Sequence, residues 1–209
     1  MKLYSYWRST TSYRVRIALN LKGLFYETVP LDLVSGDQNA PTYLALNPIG
    51  GVPSLELEDG SVLTQSMAVL EYLEAEHADP AMVPSDPLMA AKVRAAANII
   101  ACDIHPLNNL KVVSAIKSLG HSKDESISWM NHWMLRGLLA YQTLLPNGSK
   151  FSFGDTPSLA DICLVPQLYN AHRWGTDLSS LQHLTEIETR CLALPAFAAA
   201  QPHLQPDAA

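Results

Sequence analysis

Cysteine is scarce in this chain of 209 residues: Cys102, Cys163 and Cys191 stand far apart, odd in number and without C-x-x-C spacing. That pattern argues against a disulfide framework and against a thiolate zinc site, and the three read as buried thiols. The seven histidines show no H-E-x-x-H or comparable ligand spacing, so no metal is expected. No apolar run approaches the roughly 18 residues that cross a bilayer, and Met1 to Tyr6 lacks a signal peptide's apolar stretch. A cytoplasmic protein with no membrane partner is the expectation. A surplus of basic charge is also missing. With 14 Lys and Arg against 20 Asp and Glu, the net charge of −6 argues against nucleic acid as a partner. What is plentiful is apolar material: 48% hydrophobic and 16% charged residues suit an ordinary globular core, not a disordered chain or a coiled coil.

One local absence points the other way. Residues 1 to 26 hold Lys2, Arg8, Arg14, Arg16 and Lys22 and no acid before Glu27. Arg14, Arg16 and Lys22 read as cations of a solvated helix face, but Arg8 lies in a turn. That turn belongs to Tyr4-Ser5-Tyr6-Trp7-Arg8-Ser9-Thr10-Thr11-Ser12-Tyr13-Arg14-Val15-Arg16-Ile17-Ala18-Leu19, which reads as a strand, a hydroxyl-rich turn and a helix start. Free backbone N–H groups and four hydroxyls converge there, and a helix N-terminus attracts an anion. A thiolate is such an anion. The chain places no cysteine at this spot, so a nucleophile would have to arrive on a ligand.

The first part of the chain alternates strand and helix signals. Lys2 to Tyr6 reads as a strand, followed by a helix with apolar Val15, Ala18, Leu19 and Leu21 that closes at Gly23. Phe25 to Leu33 reads as a second strand, and Pro41 to Leu46 as a short helix stopped by Asn47-Pro48. Ser54 to Glu58, an Asp59-Gly60 turn and Ser61 to Thr64 form a hairpin signature. Gln65-Ser66 then caps a helix to about His77. Pro80, Pro84 and Pro87 punctuate a linker, and beyond it strand signals vanish. Helices are expected at about 88 to 118, 123 to 145, 158 to 172 and 179 to 193, with a short one near 195 to 201. In one of them Ser158 and Asp161 have capping-box spacing, read as structural. The expected fold is α/β plus all-α, with domains at 1–80 and 88–209.

This order of elements resembles the cytosolic glutathione transferases over essentially the whole chain. The turn sequence looks like that of the zeta class, as do Ala45-Leu46-Asn47-Pro48, Val52-Pro53, Gln65-Ser66, Asp103-Ile104-His105-Pro106-Leu107-Asn108-Asn109-Leu110, Asp161-Ile162-Cys163-Leu164-Val165-Pro166-Gln167 and the closing Gln205-Pro206-Asp207. The resemblance implies a thioredoxin-like N-terminal domain that binds glutathione, an all-helical C-terminal domain that contributes the substrate site, and a homodimer.

It also implies a site, residue by residue. Ser9, beside Thr10 and Thr11, would put its hydroxyl on the ligand sulfur and favour thiolate over thiol; otherwise it is a helix cap. Val52-Pro53 would be a cis peptide whose Val52 N–H and C=O pair with the tripeptide, or else a simple loop. Gln65 and Ser66 would hold the γ-glutamyl carboxylate at a helix start, with a plain N-cap as the alternative for Ser66. Gln38, His105 and Asn109 would reach the glycine end or the peptide; His105 could instead be a satisfied imidazole at a kink. Asp103 would orient His105 or face solvent. Arg8 and Arg173 would hold substrate carboxylate or enolate oxygens, with Lys111 a further cation and a surface charge the alternative for Arg173.

The implied reaction is a glutathione-dependent cis–trans isomerisation of a maleyl keto acid, maleylacetoacetate or maleylpyruvate, to its fumaryl isomer by reversible thiolate addition. A transferase or peroxidase acting on small electrophiles, or a non-catalytic binding protein, are the alternatives. One departure is informative. The zeta pattern Ser-Ser-Cys is Ser9-Thr10-Thr11 here, which disfavours redox chemistry that needs a protein thiol and leaves isomerisation intact.

Overall fold

A computed structural model describes residues 1 to 208. They fall into two compact units, Met1–Ala81 with the described residues from Ala193 onward, and Met82–Leu192.

The first unit is built on a four-stranded sheet in the order β2-β1-β3-β4, where β1 is Lys2–Ser5, β2 Glu27–Pro30, β3 Ser54–Glu56 and β4 Val62–Thr64. β1 runs parallel to β2 and antiparallel to β3, and β3 pairs with β4 as a hairpin. Leu3 and Leu55 stand opposite each other and are fully buried. β2 is shorter than the expected 25 to 33, because Phe25 is 87% exposed and offers the sheet nothing to bury, while Pro30 cannot donate to a ladder. The helices are α1 Thr10–Leu21, α2 Pro41–Leu44 and α3 Ser66–Glu76.

Helix α1 differs most from its sequence reading. Ser12 through Leu19 are all buried, including Arg14 and Arg16, so the helix has no solvated cationic face. A helix buried on all sides needs no amphipathic period, and its charges must find partners inside. Arg16 Nε donates to the Ala200 carbonyl at 3.1 Å, and its other nitrogens donate to Ser5 Oγ at 3.2 Å and the Trp7 carbonyl at 3.1 Å. The Lys22 ammonium, with a side chain 0% exposed, meets Glu74 at 2.7 Å and donates to the carbonyls of His77 and Pro80. It thereby fills carbonyls beyond the end of α3, where a cation is favoured.

The expected second domain, 88–209, therefore loses its tail. A short helix α9, Pro195–Ala199, packs on α1, and Asn20 donates to the Ala196 carbonyl at 3.1 Å. The segment from Ala193 belongs to the first unit because Arg16, Asn20 and the Trp7 amide bind it.

The second unit is helical: α4 Pro87–Asn98, α5 Leu110–Ser118, α6 Lys123–Thr143, α7 Leu159–Trp174 and α8 Gln182–Leu192. The single helix expected over 88 to 118 is broken. It widens into π-type turns at Ile99–Ile104 and tightens into a 3₁₀ turn at His105–Asn108 before α5 begins at a new cap. Pro106 is the cause: its missing N–H and its ring forbid a regular continuation. Against this wide turn α6 approaches so closely that a Cβ at Gly137 would lie 2.2 Å from Ile104 Cγ1. Ser158 and Asp161 form the expected capping box, with Asp161 accepting from the Ser158 and Ser152 amides at 2.8 and 2.9 Å. Cys163 and Cys191 are buried as expected, whereas Cys102 is exposed, because it lies on the outer side of the widened turn. Among the described residues no helix is long and apolar enough to cross a membrane.

Candidate active site

The turn between β1 and α1 holds a row of hydroxyls. Ser9 is the N-cap of α1, and its Oγ accepts the Ser12 amide at 3.2 Å. Ser9 Oγ and Thr11 Oγ1 lie 2.8 Å apart, and Thr11 donates to the Val52 carbonyl at 2.7 Å. A hydroxyl has one proton. With that of Thr11 given to Val52, the proton between the two hydroxyls belongs to Ser9. Thr10 is buried beside them.

Val52-Pro53 is a cis peptide, and the segment before it is held from below. Tyr43 donates to the Gly51 carbonyl at 2.5 Å, and Asn47 Nδ2 donates to the same carbonyl at 2.8 Å and to Ser54 Oγ at 3.1 Å. Burial pushes the Tyr43 phenol up, so it stays a donor.

Where β4 enters α3, Gln65 takes φ 68° and ψ 112°, the one positive φ at a non-glycine among the described residues. Such a conformation costs about 1–3 kcal/mol and is a mark of functional sites. The buried Ser66 begins the helix, and its Oγ accepts Arg14 at 3.3 Å. Neither α1 nor α3 has an acid in its first turn, so both helix starts keep their attraction for an anion.

Arg8 sits half-buried in the turn, stacked over the Trp7 ring with its guanidinium carbon 4.4 Å from the centroid and donating to Tyr6 Oη at 3.0 Å. Its Nε is buried with no hydrogen-bond partner. Gln38, in a 3₁₀ turn at Asp37–Asn39, likewise has a buried Oε1 without a partner. A buried unpaired donor or acceptor costs about 1–3 kcal/mol, which a ligand can relieve.

In the second unit Asn109 is the N-cap of α5, its Oδ1 accepting the Lys111 amide at 3.1 Å, and its Nδ2 lies 3.3 Å from His105 Nε2. Asp103 is exposed, as are Lys111 and Arg173. The Arg173 guanidinium lies 4.7 Å from the Trp174 ring centroid near the end of α7. A cavity of ≈ 590 Å³ lined by Ile116, Leu119 and Trp129 includes none of the expected site residues.

Within the first unit the structure thus joins Ser9, Thr11 and Val52 in one hydrogen-bonded row, and within the second it joins His105 to Asn109. The sequence reading gave no role to Arg14 beneath Ser66, to Tyr43 and Asn47 beneath Gly51, or to Trp7 beneath Arg8. Trp7, Arg14 and Asn47 stand within stretches that resemble the zeta class, but only as parts of a pattern, and Tyr43 left no signal.

A two-unit chain with this sheet, a cis-proline loop and a serine-capped α1 has the fold of the glutathione transferases. A profile of the glutathione S-transferase N-terminal domain matches residues 1–75. A maleylacetoacetate isomerase of Pseudomonas aeruginosa PAO1 is 46% identical over 99% of this chain and 98% of its own length. A maleylpyruvate isomerase solved as a holo structure, a bacterial zeta-class enzyme, superposes with TM-score 0.97 at 42% identity over 100% of both chains. A maleylacetoacetate isomerase of Methylobacterium extorquens AM1, solved with bound malonate and GSH, superposes with TM-score 0.95 at 39% identity, again over 100% of both chains. The chain belongs to the zeta class of glutathione transferases, the family of the maleylacetoacetate and maleylpyruvate isomerases.

Proposed function

We propose that this chain is a glutathione-dependent cis–trans isomerase that converts maleylacetoacetate or maleylpyruvate to its fumaryl isomer. The observation that carries the reading is the row Ser9, Thr11 and Val52 at the start of α1 with Arg8 beside it. The donor set suits glutathione: a serine hydroxyl for sulfur, the Val52 peptide for the tripeptide backbone, and Gln65 and Ser66 at a helix start for the γ-glutamyl carboxylate.

When bound, glutathione supplies a thiolate whose reversible addition turns the cis double bond into a single bond free to rotate. The chain's own residues do the rest. Ser9 turns its proton from Thr11 toward the sulfur and favours the ionised form, each pKa unit being worth about 1.4 kcal/mol. Thr11 and Pro53 keep the Val52 peptide in place, and the buried Oε1 of Gln38 is available to accept from the tripeptide. Arg8 meets the negative charge that develops on the substrate carbonyl and its carboxylates, where a planar guanidinium suits both. For Thr10, Asp103, His105, Asn109 and Lys111 as glutathione contacts, and for Arg173 as a second carboxylate partner, the support is the family resemblance. The same holds for a homodimer in the cytoplasm, which a monomeric mass in solution would refute.

The test is to offer maleylacetoacetate and maleylpyruvate separately, with and without glutathione, and to follow the fumaryl product and the thiol. We expect product only with glutathione and no net loss of thiol. Product formed without glutathione would overturn the mechanism, and stoichiometric thiol loss would make the protein a transferase.

A further inference from the structure

The Gln205-Pro206-Asp207 motif at the end of the chain has no part in the mechanism so far. In the structure Asp207 Oδ2 accepts the backbone amide of Trp7 at 2.9 Å, across 200 residues of sequence. The other side of the same residue is held as well: the Trp7 carbonyl accepts Arg16, which also grips the Ala200 carbonyl. Both polar groups of the Trp7 backbone are therefore fixed by charged side chains from outside the turn. Charge-assisted bonds of this kind are roughly twice as strong as neutral ones.

Fixing Trp7 matters because its indole is the platform under the Arg8 guanidinium, 4.4 Å away. A five-donor cation on a flexible stem loses side-chain freedom when it binds a carboxylate, unless a stacked ring has already ordered it. Tyr6 orders it from the other flank, accepting from Arg8 at 3.0 Å.

We propose that Asp207 is a positioning residue: the C-terminal segment clamps the Trp7 backbone so that Arg8 is pre-oriented for the carboxylate or carbonyl of the substrate. This rests on the proposed isomerase reading for the identity of the substrate, but not for the clamp itself. Glutathione, assigned to Ser9, Val52 and Ser66, should be nearly indifferent to it.

The test compares the full-length protein with Asp207→Ala and Asp207→Asn. Asparagine keeps one acceptor oxygen for the Trp7 amide, whereas alanine keeps none. Three measurements are made: hydrogen exchange of the Trp7 amide, binding of malonate and of glutathione by calorimetry, and KM and kcat for the keto acid. In Asp207→Ala we expect faster exchange at Trp7, about tenfold weaker malonate binding and a KM raised to match, with glutathione affinity changed less than about twofold. Asp207→Asn should recover most of each loss. Unaltered exchange and malonate binding in Asp207→Ala would overturn the proposal, as would an equal loss of glutathione and malonate binding, which marks a general collapse. If the wild-type protein proves inactive on keto acids, the functional reading fails while exchange and malonate binding still decide the clamp.

Discussion

Thr11 donates its hydroxyl proton to the carbonyl of Val52 at 2.7 Å, and so ties the start of α1 to the cis-proline loop. The zeta pattern that this turn resembles has cysteine at this position, and a thiol is a weak donor. Thr11→Val keeps the shape and removes the hydroxyl, leaving the Val52 carbonyl without this donor and Ser9 without its acceptor. We expect glutathione affinity to fall about fivefold, near 1 kcal/mol for one net hydrogen bond. Thr11→Ser should stay within about twofold. Calorimetric titration with glutathione checks both.

Ser9→Ala tests the other end of the row. The hydroxyl favours the ionised sulfur, so its loss raises the pKa of the bound thiol. The alkaline rise of the rate should then move to higher pH by about one unit, and the rate near neutrality should fall about tenfold or more. Ultraviolet titration of the bound thiolate reads the shift directly. An unmoved titration would leave Ser9 a helix cap.

Much of this was legible in the sequence because it is local. The hydroxyl turn, the Val52-Pro53 dipeptide, the Asp59-Gly60 hairpin and the Ser158 capping box each consist of neighbours in the chain, and each stands where expected. Apart from the helix expected over 88 to 118, which breaks locally at Pro106, what failed was non-local. Arg14, Arg16 and Lys22 looked like a solvated face because charge usually means exposure. Their partners Ser66, Ala200 and Pro80 lie 52, 184 and 58 residues away, beyond any periodicity. The extent of the first unit failed for the same reason, since the chain returns to it at Ala193.

Arg173 offers a prediction of a different kind, because it is exposed and its guanidinium stacks on the Trp174 ring. Arg173→Met removes the charge and keeps most of the apolar stem. KM for the keto acid should rise about tenfold, while glutathione affinity stays within about twofold. Wild-type kinetics would return Arg173 to the status of a surface charge.

The three thiols should react unequally. Cys102 is exposed at the wide turn before His105, whereas Cys163 and Cys191 are fully buried, and burial holds the Cys191 thiol far above the usual range. Thiolate is the reactive form. A colorimetric thiol reagent should therefore titrate one group per native chain and the other two only after unfolding. Cys102→Ser should abolish the native reaction.

Arg16 should be the most costly of the α1 cations to remove. It is 0% exposed and donates to the Ala200 carbonyl, Ser5 Oγ and the Trp7 carbonyl, so three acceptors depend on it. Arg16→Met keeps a long apolar side chain but leaves those acceptors without that donor in a buried space, each worth about 1 kcal/mol or more. We expect a loss of about 3 kcal/mol in urea denaturation, at the upper end of what single substitutions do. Lys at this position is not a repair, because a compact ammonium cannot span acceptors arranged around a planar fork. Arg16→Lys should recover less than half of the loss, and an Arg16→Met protein as stable as wild type would mean that α9 packing and the Asn20 and Asp207 hydrogen bonds hold the C-terminal segment without Arg16.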